Sequence, residues 1–406
     1  MNLNKSLSLT LLTMFTLSLS SRSSSAEDKG EVRNVHQRSG FQHSKNQFKQ
    51  NKTGHVAFIG GSITEMNGYR PLLMKSLEEK FPKTVFKFTA AGISSTCSTA
   101  GAFRLENDVL RNGQVDLFFI EFAVNDDQDA MHSPKNALRG MEGIIRHTLA
   151  HSPQADIILT YFVNEGMLKK LQQGETPVSI AAHEKVAEHY GITSIHLAQE
   201  VADRFEEGTL TWKQYGGVHP GPFGNAIPAK MISQTLNKAW EKKEPDIQSS
   251  SKESLPQLLD QFSYSSGKYL DQTQIEMGDG WRREVPDWKN LKGSVRSRHA
   301  NVPLYICETP NAELKLTFTG KAFGVECVAG PDAGTLLFSV DGGDWQEFNL
   351  SHRFSKGLHY PRTVVLAGEL ENQKHVVRIR LSDKKSDYGL PPTVRILNFV
   401  MNAADE

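Results

Sequence analysis

Apolar and polar positions divide the chain into two regions with different periods. From residue 54 to 242, short apolar runs alternate with amphipathic stretches of helical spacing. The runs His55–Gly60, Thr84–Ala90, Val115–Phe122 and Asp156–Val163, with a weaker one at Thr193–Leu197, read as strands. Helices are expected between them at Tyr69–Lys80, Ala100–Leu110, Pro134–Leu149, Pro177–Tyr190, Ala198–Glu207 and Pro222–Lys242. Regular alternation of strand and helix predicts parallel strands joined by crossovers, with helices covering both faces of one sheet. In such a sheet ligands bind at the carboxyl ends of the strands, so functional residues are expected just after each apolar run.

Past residue 256 the helical period disappears. Leu314–Gly320, Thr335–Val340, Thr363–Leu366, Val376–Leu381 and Val394–Met401 are short strand candidates separated by Gly, Asp and Asn turns, and Asp341-Gly342-Gly343 is a hairpin signal. The expectation for 257–406 is an all-β sandwich. Residues 243–256, rich in charge, Ser and Pro, read as an exposed linker between the two regions.

The amino-terminal end follows a third pattern. Lys5 precedes an uncharged, mostly apolar stretch from Leu7 to Leu19 and then small residues ending in Ser24-Ser25-Ala26, the order of a secretory signal peptide over 1–26. This apolar run is shorter than the ~20 residues of a membrane span, and no later run is long enough either. Export to the periplasm or the outside is expected, with no membrane span in the mature protein. Residues 27–53 are polar and aperiodic and read as a flexible lead-in, with order starting near Gly54.

Composition narrows the choice of partner. The 406 residues hold 46 Lys plus Arg and 46 Asp plus Glu, so no excess of either sign draws the chain to nucleic acid or anionic lipid. A neutral or locally polar substrate fits better. The three cysteines, Cys97, Cys307 and Cys327, match no zinc spacing, and no metal or other cofactor is expected. Cys307 and Cys327 either pair in an oxidising compartment or remain buried thiols on neighbouring strands.

The chemistry collects at the predicted strand ends. The first strand ends in Gly60-Gly61-Ser62-Ile63-Thr64, which sets Ser62 on a tight turn into a helix. A serine hydroxyl is a poor nucleophile until a base takes its proton, and such a turn lets base and substrate reach it. A serine after two glycines is also a common helix cap. The second strand ends in Ala90-Ala91-Gly92 and the third in Phe122-Ala123-Val124-Asn125-Asp126-Asp127. The backbone N–H groups of Ser62 and Gly92 and the Asn125 amide are then three candidate donors for a developing oxyanion. His219, in Tyr215-Gly216-Gly217-Val218-His219-Pro220-Gly221, precedes a helix start where proline restricts the backbone.

Taken together these four segments resemble the SGNH/GDSL hydrolases. GGSIT is similar to the family's serine turn, Gly92 to its block II glycine, Val124-Asn125-Asp126 to its block III asparagine and Val218-His219-Pro220 to its block V histidine. The resemblance covers about residues 54–242 and implies a three-layer α/β/α, flavodoxin-like hydrolase domain. It further implies that Ser62 attacks an ester carbonyl and that His219 takes its proton. Ser62, Gly92 and Asn125 would hold the oxyanion, and water would hydrolyse the acyl-enzyme. Two positions depart from the pattern: Gly61 stands where the family usually has Asp, and Gly216 stands where its third catalytic residue, an Asp three positions before the His, would be. Either His219 works in a Ser-His dyad, or a carboxylate arrives from Asp126, Asp127, Glu65 or Glu165; Glu65 and Arg70 are also pocket candidates.

The β region carries Trp281, Trp288, Trp345, Tyr305 and Tyr360, residues that serve a sugar face or, more commonly, sandwich packing. The stretch 315–343 is similar to jelly-roll modules attached to some secreted carbohydrate esterases. The expected activity is removal of O-acetyl or other short acyl groups from an oligosaccharide or polysaccharide. Two alternatives are a lipase or thioesterase of the same fold, which needs a wide apolar trough, and a noncatalytic glycan-binding protein, suggested by Gly216.

Overall fold

The computed structural model describes residues 32–242 and 255–403. The expected signal peptide, residues 27–31 of the lead-in and residues 243–254 of the expected linker lie outside the described residues.

The α/β region is built on strands that are apolar on both faces. In Thr53–Gly60 (β2, after a short β1 at Val35–His36) residues Val56, Ala57, Phe58 and Ile59 are fully buried. The same holds for Val85–Gly92 (β3) only at its carboxyl end, whereas Leu117–Glu121 (β4) is buried throughout. Asp156–Thr160 (β5) and Thr193–Ile195 (β6) complete the set. Continuous apolar strands of this kind are stable only when helices cover both faces. The sheet order is β1-β6-β5-β4-β2-β3, with β2 to β6 parallel and β1 antiparallel to β6. The five parallel strands therefore follow the flavodoxin order, 2-1-3-4-5 when counted among themselves, and the switch point lies between β2 and β4. Helices Tyr69–Lys80, Ser98–Asp108, Pro134–His151, Val178–His189, Leu197–Glu206 and Pro222–Glu241 lie close to their expected ranges. Helix Glu165–Gln172 was not expected; its eight residues are too few for a helical period to stand out from the preceding strand.

Residues 32–53 correct the expectation of a flexible lead-in. Here β1 pairs with β6, and the helical segments Gln42–Asn46 and Gln47–Asn51 bury Phe41 and Phe48 against the main core. Arg38 binds Glu184, and Arg33 and Asn34 bind Glu200. The polar residues that hide any period are spent on long-range ion pairs, while two aromatic anchors supply the burial.

The second domain is all antiparallel, as expected for a sandwich. Its strands are Gly267–Tyr269 (β7), Ile275–Met277 (β8), Trp281–Glu284 (β9), Leu304–Cys307 (β10), Glu313–Ala329 (β11), Thr335–Val340 (β12), Gln346–Asn349 (β13), Tyr360–Ala367 (β14), Gln373–Leu381 (β15) and Val394–Ala403 (β16). The 17-residue β11 runs through Gly320, where the sequence pattern ends a strand. Its first half pairs with β15 and its second half with β14, and the register shift on β16 at Gly320/Ala322 marks the bend. One strand thus serves both halves of the domain around a separate core that includes Leu316, Phe323, Val325, Ile379 and Ile396. Cys307 and Cys327 are unpaired, buried thiols on strands that both neighbour β16.

The two domains form one compact unit over 32–406. Glu142 on the helix Pro134–His151 accepts from Leu259 N, Asp260 N and Ser263 Oγ, and Arg139 pairs with Asp260 and Glu369. Residues 256–265 therefore pack on the α/β domain, and the first strand of the β domain starts only at Gly267. No helix among the described residues is long and apolar enough to cross a membrane.

Candidate active site

Three strand ends meet at the switch point. Gly60 of β2 is in register with Gly92 of β3 on one side and with Glu121 of β4 on the other. A buried arginine that the sequence reading missed fixes this edge. Arg104, 1% exposed, donates to the carbonyls of Gly60 (3.0 Å) and Ala91 (2.7 Å). The only signal for it was a charged residue on the apolar side of a helix.

Ser62 opens the single-turn helix Ser62–Glu65, closed by Glu65 N donating to Gly61 O at 3.0 Å. Gly61 is required there: a Cβ at this position would stand 1.9 Å from Asn125 Oδ1. The Asp usual at this point of the family pattern is thus excluded by the Asn125 amide. Asn125 is buried and its Nδ2 donates to Asp129 Oδ2 at 2.6 Å, which fixes the amide and leaves its second hydrogen unused. Beneath the turn, Glu121 accepts from Thr64 Oγ1 at 3.2 Å and from the Gly61 N–H. Burial pushes its carboxyl up to about 8.

His219 reaches Ser62 from the opposite loop, with Nε2 2.7 Å from Ser62 Oγ. Among the described residues Ser62 is its only hydrogen-bond partner, and no carboxylate pairs with it. Its position comes from the backbone. Thr211 and Gln214 form a capping box on Trp212–Tyr215; Gly216 then turns the chain at φ +102°, and Gly221 N donates to Tyr215 O at 2.9 Å. Asn225 Nδ2 donates to the carbonyls of Pro220 and Gly221 from the next helix. A Cβ on Gly216 would lie 2.1 Å from Gly221 N, so this turn has no room for the family's Asp.

None of the four candidate carboxylates reaches His219. Asp126 accepts from Ser98 N and Oγ and from His183 Nε2, and lies 3.4 Å from His132 Nδ1. Although burial works the other way, His132 and His183 hold it well below the usual carboxylate range. Asp127 accepts from Asn164 Nδ2, and Glu165 is an exposed residue in the first turn of its helix. Glu65 binds Ser94 N, Ser94 Oγ and Arg298 of the β domain; these outweigh its burial and lower its pKa. Arg70 donates to the Thr64 carbonyl at 3.2 Å and so steadies the serine turn from behind. The β domain also sends Arg296 to Ser95, another contact with no sequence signal. Its aromatic residues are mostly packing: Trp281, Tyr305 and Tyr360 are buried, Trp288 donates to Ala300 O, and the exposed Trp345 is covered by Arg380 at 4.3 Å.

Residues 58–227 match the family model described as the GDSL-like Lipase/Acylhydrolase family. No curated protein matches the sequence. Among solved structures, the chain is similar to a two-domain esterase (CEX) active on acetylated mannans, co-crystallized with mannopentaose. That likeness has 18% identity and a TM-score of 0.71, and spans 90% of this chain and 95% of that one. A second crystal structure of a two-domain esterase (CEX) active on acetylated mannans matches at 18% identity and a TM-score of 0.69, over 87% and 92% of the respective chains. Both likenesses extend over the α/β and the β domain. Fold and family together define a carboxylic ester hydrolase. The family match lies within the α/β domain, and the likeness to the two-domain esterases extends beyond it over the β domain.

Proposed function

We propose that the protein is an exported esterase that removes acetyl or other short acyl groups from a carbohydrate, through a Ser62–His219 dyad. The observation that carries this reading is the 2.7 Å contact from His219 Nε2 to Ser62 Oγ at the switch point of the sheet. His219 takes the Ser62 proton as the oxygen attacks the ester carbonyl. The Ser62 and Gly92 N–H groups and the free hydrogen of the Asn125 amide bind the oxyanion. His219 then gives the proton to the leaving sugar hydroxyl, and water, deprotonated by His219, releases the acid. With no carboxylate at Nδ1, the closed turn from Tyr215 to Gly221 sets the ring orientation, and solvent reaches the exposed imidazole.

The carbohydrate assignment is supported by the two-domain architecture shared with an esterase active on acetylated mannans, and export by the pattern of residues 1–26. The test compares aryl acetate, aryl octanoate and acetylated mannan as substrates of the wild type and of Ser62→Ala. Acetate and the acetylated glycan should be turned over and octanoate should not, with activity lost in Ser62→Ala. Preference for octanoate would point to a lipase. Equal rates in wild type and variant would sink the assignment.

A further inference from the structure

Next to the oxyanion loop lies a second cluster that ester hydrolysis does not use. Cys97 precedes the helix Ser98–Asp108, Asp126 directly follows Asn125, and His132 stands in the loop before the helix Pro134–His151. One donor atom from each residue lies within 4.8 Å of the other two. His132 is nine-tenths buried, and its Nδ1 has no hydrogen-bond partner among the described residues although Asp126 Oδ2 is 3.4 Å away. The nitrogen thus has the Asp126 carboxylate's charge beside it but no hydrogen bond, and a buried ring nitrogen in that state has room for a closer partner.

The spacing is compatible with a metal ion held between these groups. Two donors held ~2.0–2.2 Å from one tetrahedral ion stand ~3.3–3.5 Å from each other, which is the separation found here. Ser98 N (2.7 Å) on Oδ1, with Ser98 Oγ (2.6 Å) and His183 Nε2 (2.9 Å) on Oδ2, fixes the Asp126 carboxylate in place. Cys97 and His132 also line a cavity of about 490 Å³ between the two domains. Residues 97, 126 and 132 form no sequence motif, which explains why spacing alone pointed to no metal.

We propose that Cys97, Asp126 and His132 bind a divalent, thiophilic transition metal of the zinc class. Thiolate and imidazole select such ions over magnesium or calcium. Binding replaces the thiol proton, which leaves to solvent, by a sulfur–metal bond; no other bond is made or broken in the protein and no electron is transferred. The site is separate from the Ser62–His219 pair and takes no part in acyl transfer.

The test is a titration of the full chain, stripped by chelator under reducing conditions, with Co²⁺. A near-ultraviolet thiolate-to-cobalt charge-transfer band should grow to saturation at one equivalent per chain and vanish on adding Zn²⁺. Cys97→Ser should abolish the band, the double variant Cys307→Ser/Cys327→Ser should keep it, and His132→Gln should weaken binding at least ~10-fold. No band in the wild type overturns the proposal, as does an unchanged band in Cys97→Ser. Should Cys97→Ser fail to fold, His132→Gln decides, and wild-type affinity in that variant overturns it.

Discussion

Two imidazoles of the α/β domain are positioned by opposite means. His183 is fully buried and bound to the fully buried Asp126 carboxylate at 2.9 Å. His219 is exposed and meets no carboxylate; glycine turns and the Asn225 amide hold its loop instead. The protein thus builds a buried His–Asp pair, but not beside Ser62. Ionic positioning needs a buried acid and a second layer of donors, which Ser98 provides around Asp126. Backbone positioning needs only a turn too tight for a side chain, and that requirement leaves no room for an Asp at position 216.

The largest effect that can break this comparison is loss of either member of the proposed dyad. Ser62→Ala and His219→Ala should each lower aryl-acetate turnover by ~10⁴-fold or more, while Asp127→Asn stays near wild type. If Asp127→Asn fell as far as His219→Ala, a hidden carboxylate would be at work.

The next concerns Glu121, the carboxyl that lies under the serine turn rather than beside the histidine. Its pKa is raised from 4.5 to about 8 chiefly by burial, so the folded state holds a proton that the unfolded state has released. Its stabilising contribution is complete below the unfolded value and is lost as pH rises through the folded one. Stability should fall by about 3–5 kcal/mol across that window. Denaturant titrations of Glu121→Gln should show most of that slope gone; an unchanged slope would place it on other groups.

Asn125→Ala should cost ~10²–10³-fold in kcat with little change in KM, the mark of a donor that acts on the transition state. A loss confined to KM would remove Asn125 from the oxyanion site.

The smallest effect is the most pointed. Gly216→Asp restores the family residue, yet it should destabilise by ~2–4 kcal/mol and lower activity, because the turn has neither room nor a suitable φ. A more active variant would mean that the turn relaxes to accept a triad.

The strand ends were legible because each is a short local signal, an apolar run and then GGS, AAG or VND, and VHP marks the loop before the last helix of the α/β domain. The hydrolase fold followed from the alternation of these runs with helices. Features carried by single long-range contacts were not legible. Arg104 looks like any helix arginine until the Gly60 and Ala91 carbonyls surround it. Residues 33–51 look disordered because their polar side chains find partners roughly 150 residues away, as Arg38 does in Glu184. Gly320 reads as a strand end, yet it is a bend within one strand. The partner of His219 was the open question of the sequence, and Gly216 answered it only once its neighbours in space were known.

The central claim is that Ser62, activated by His219, carries the acyl group. Its most direct measurement is rapid quenching of the enzyme with an aryl acetate, followed by peptide mass spectrometry. The account predicts one acetyl per chain, on the peptide that contains Ser62, and none in Ser62→Ala or His219→Ala. An acetyl on another residue, or acetylation that survives His219→Ala at the wild-type rate, would contradict it.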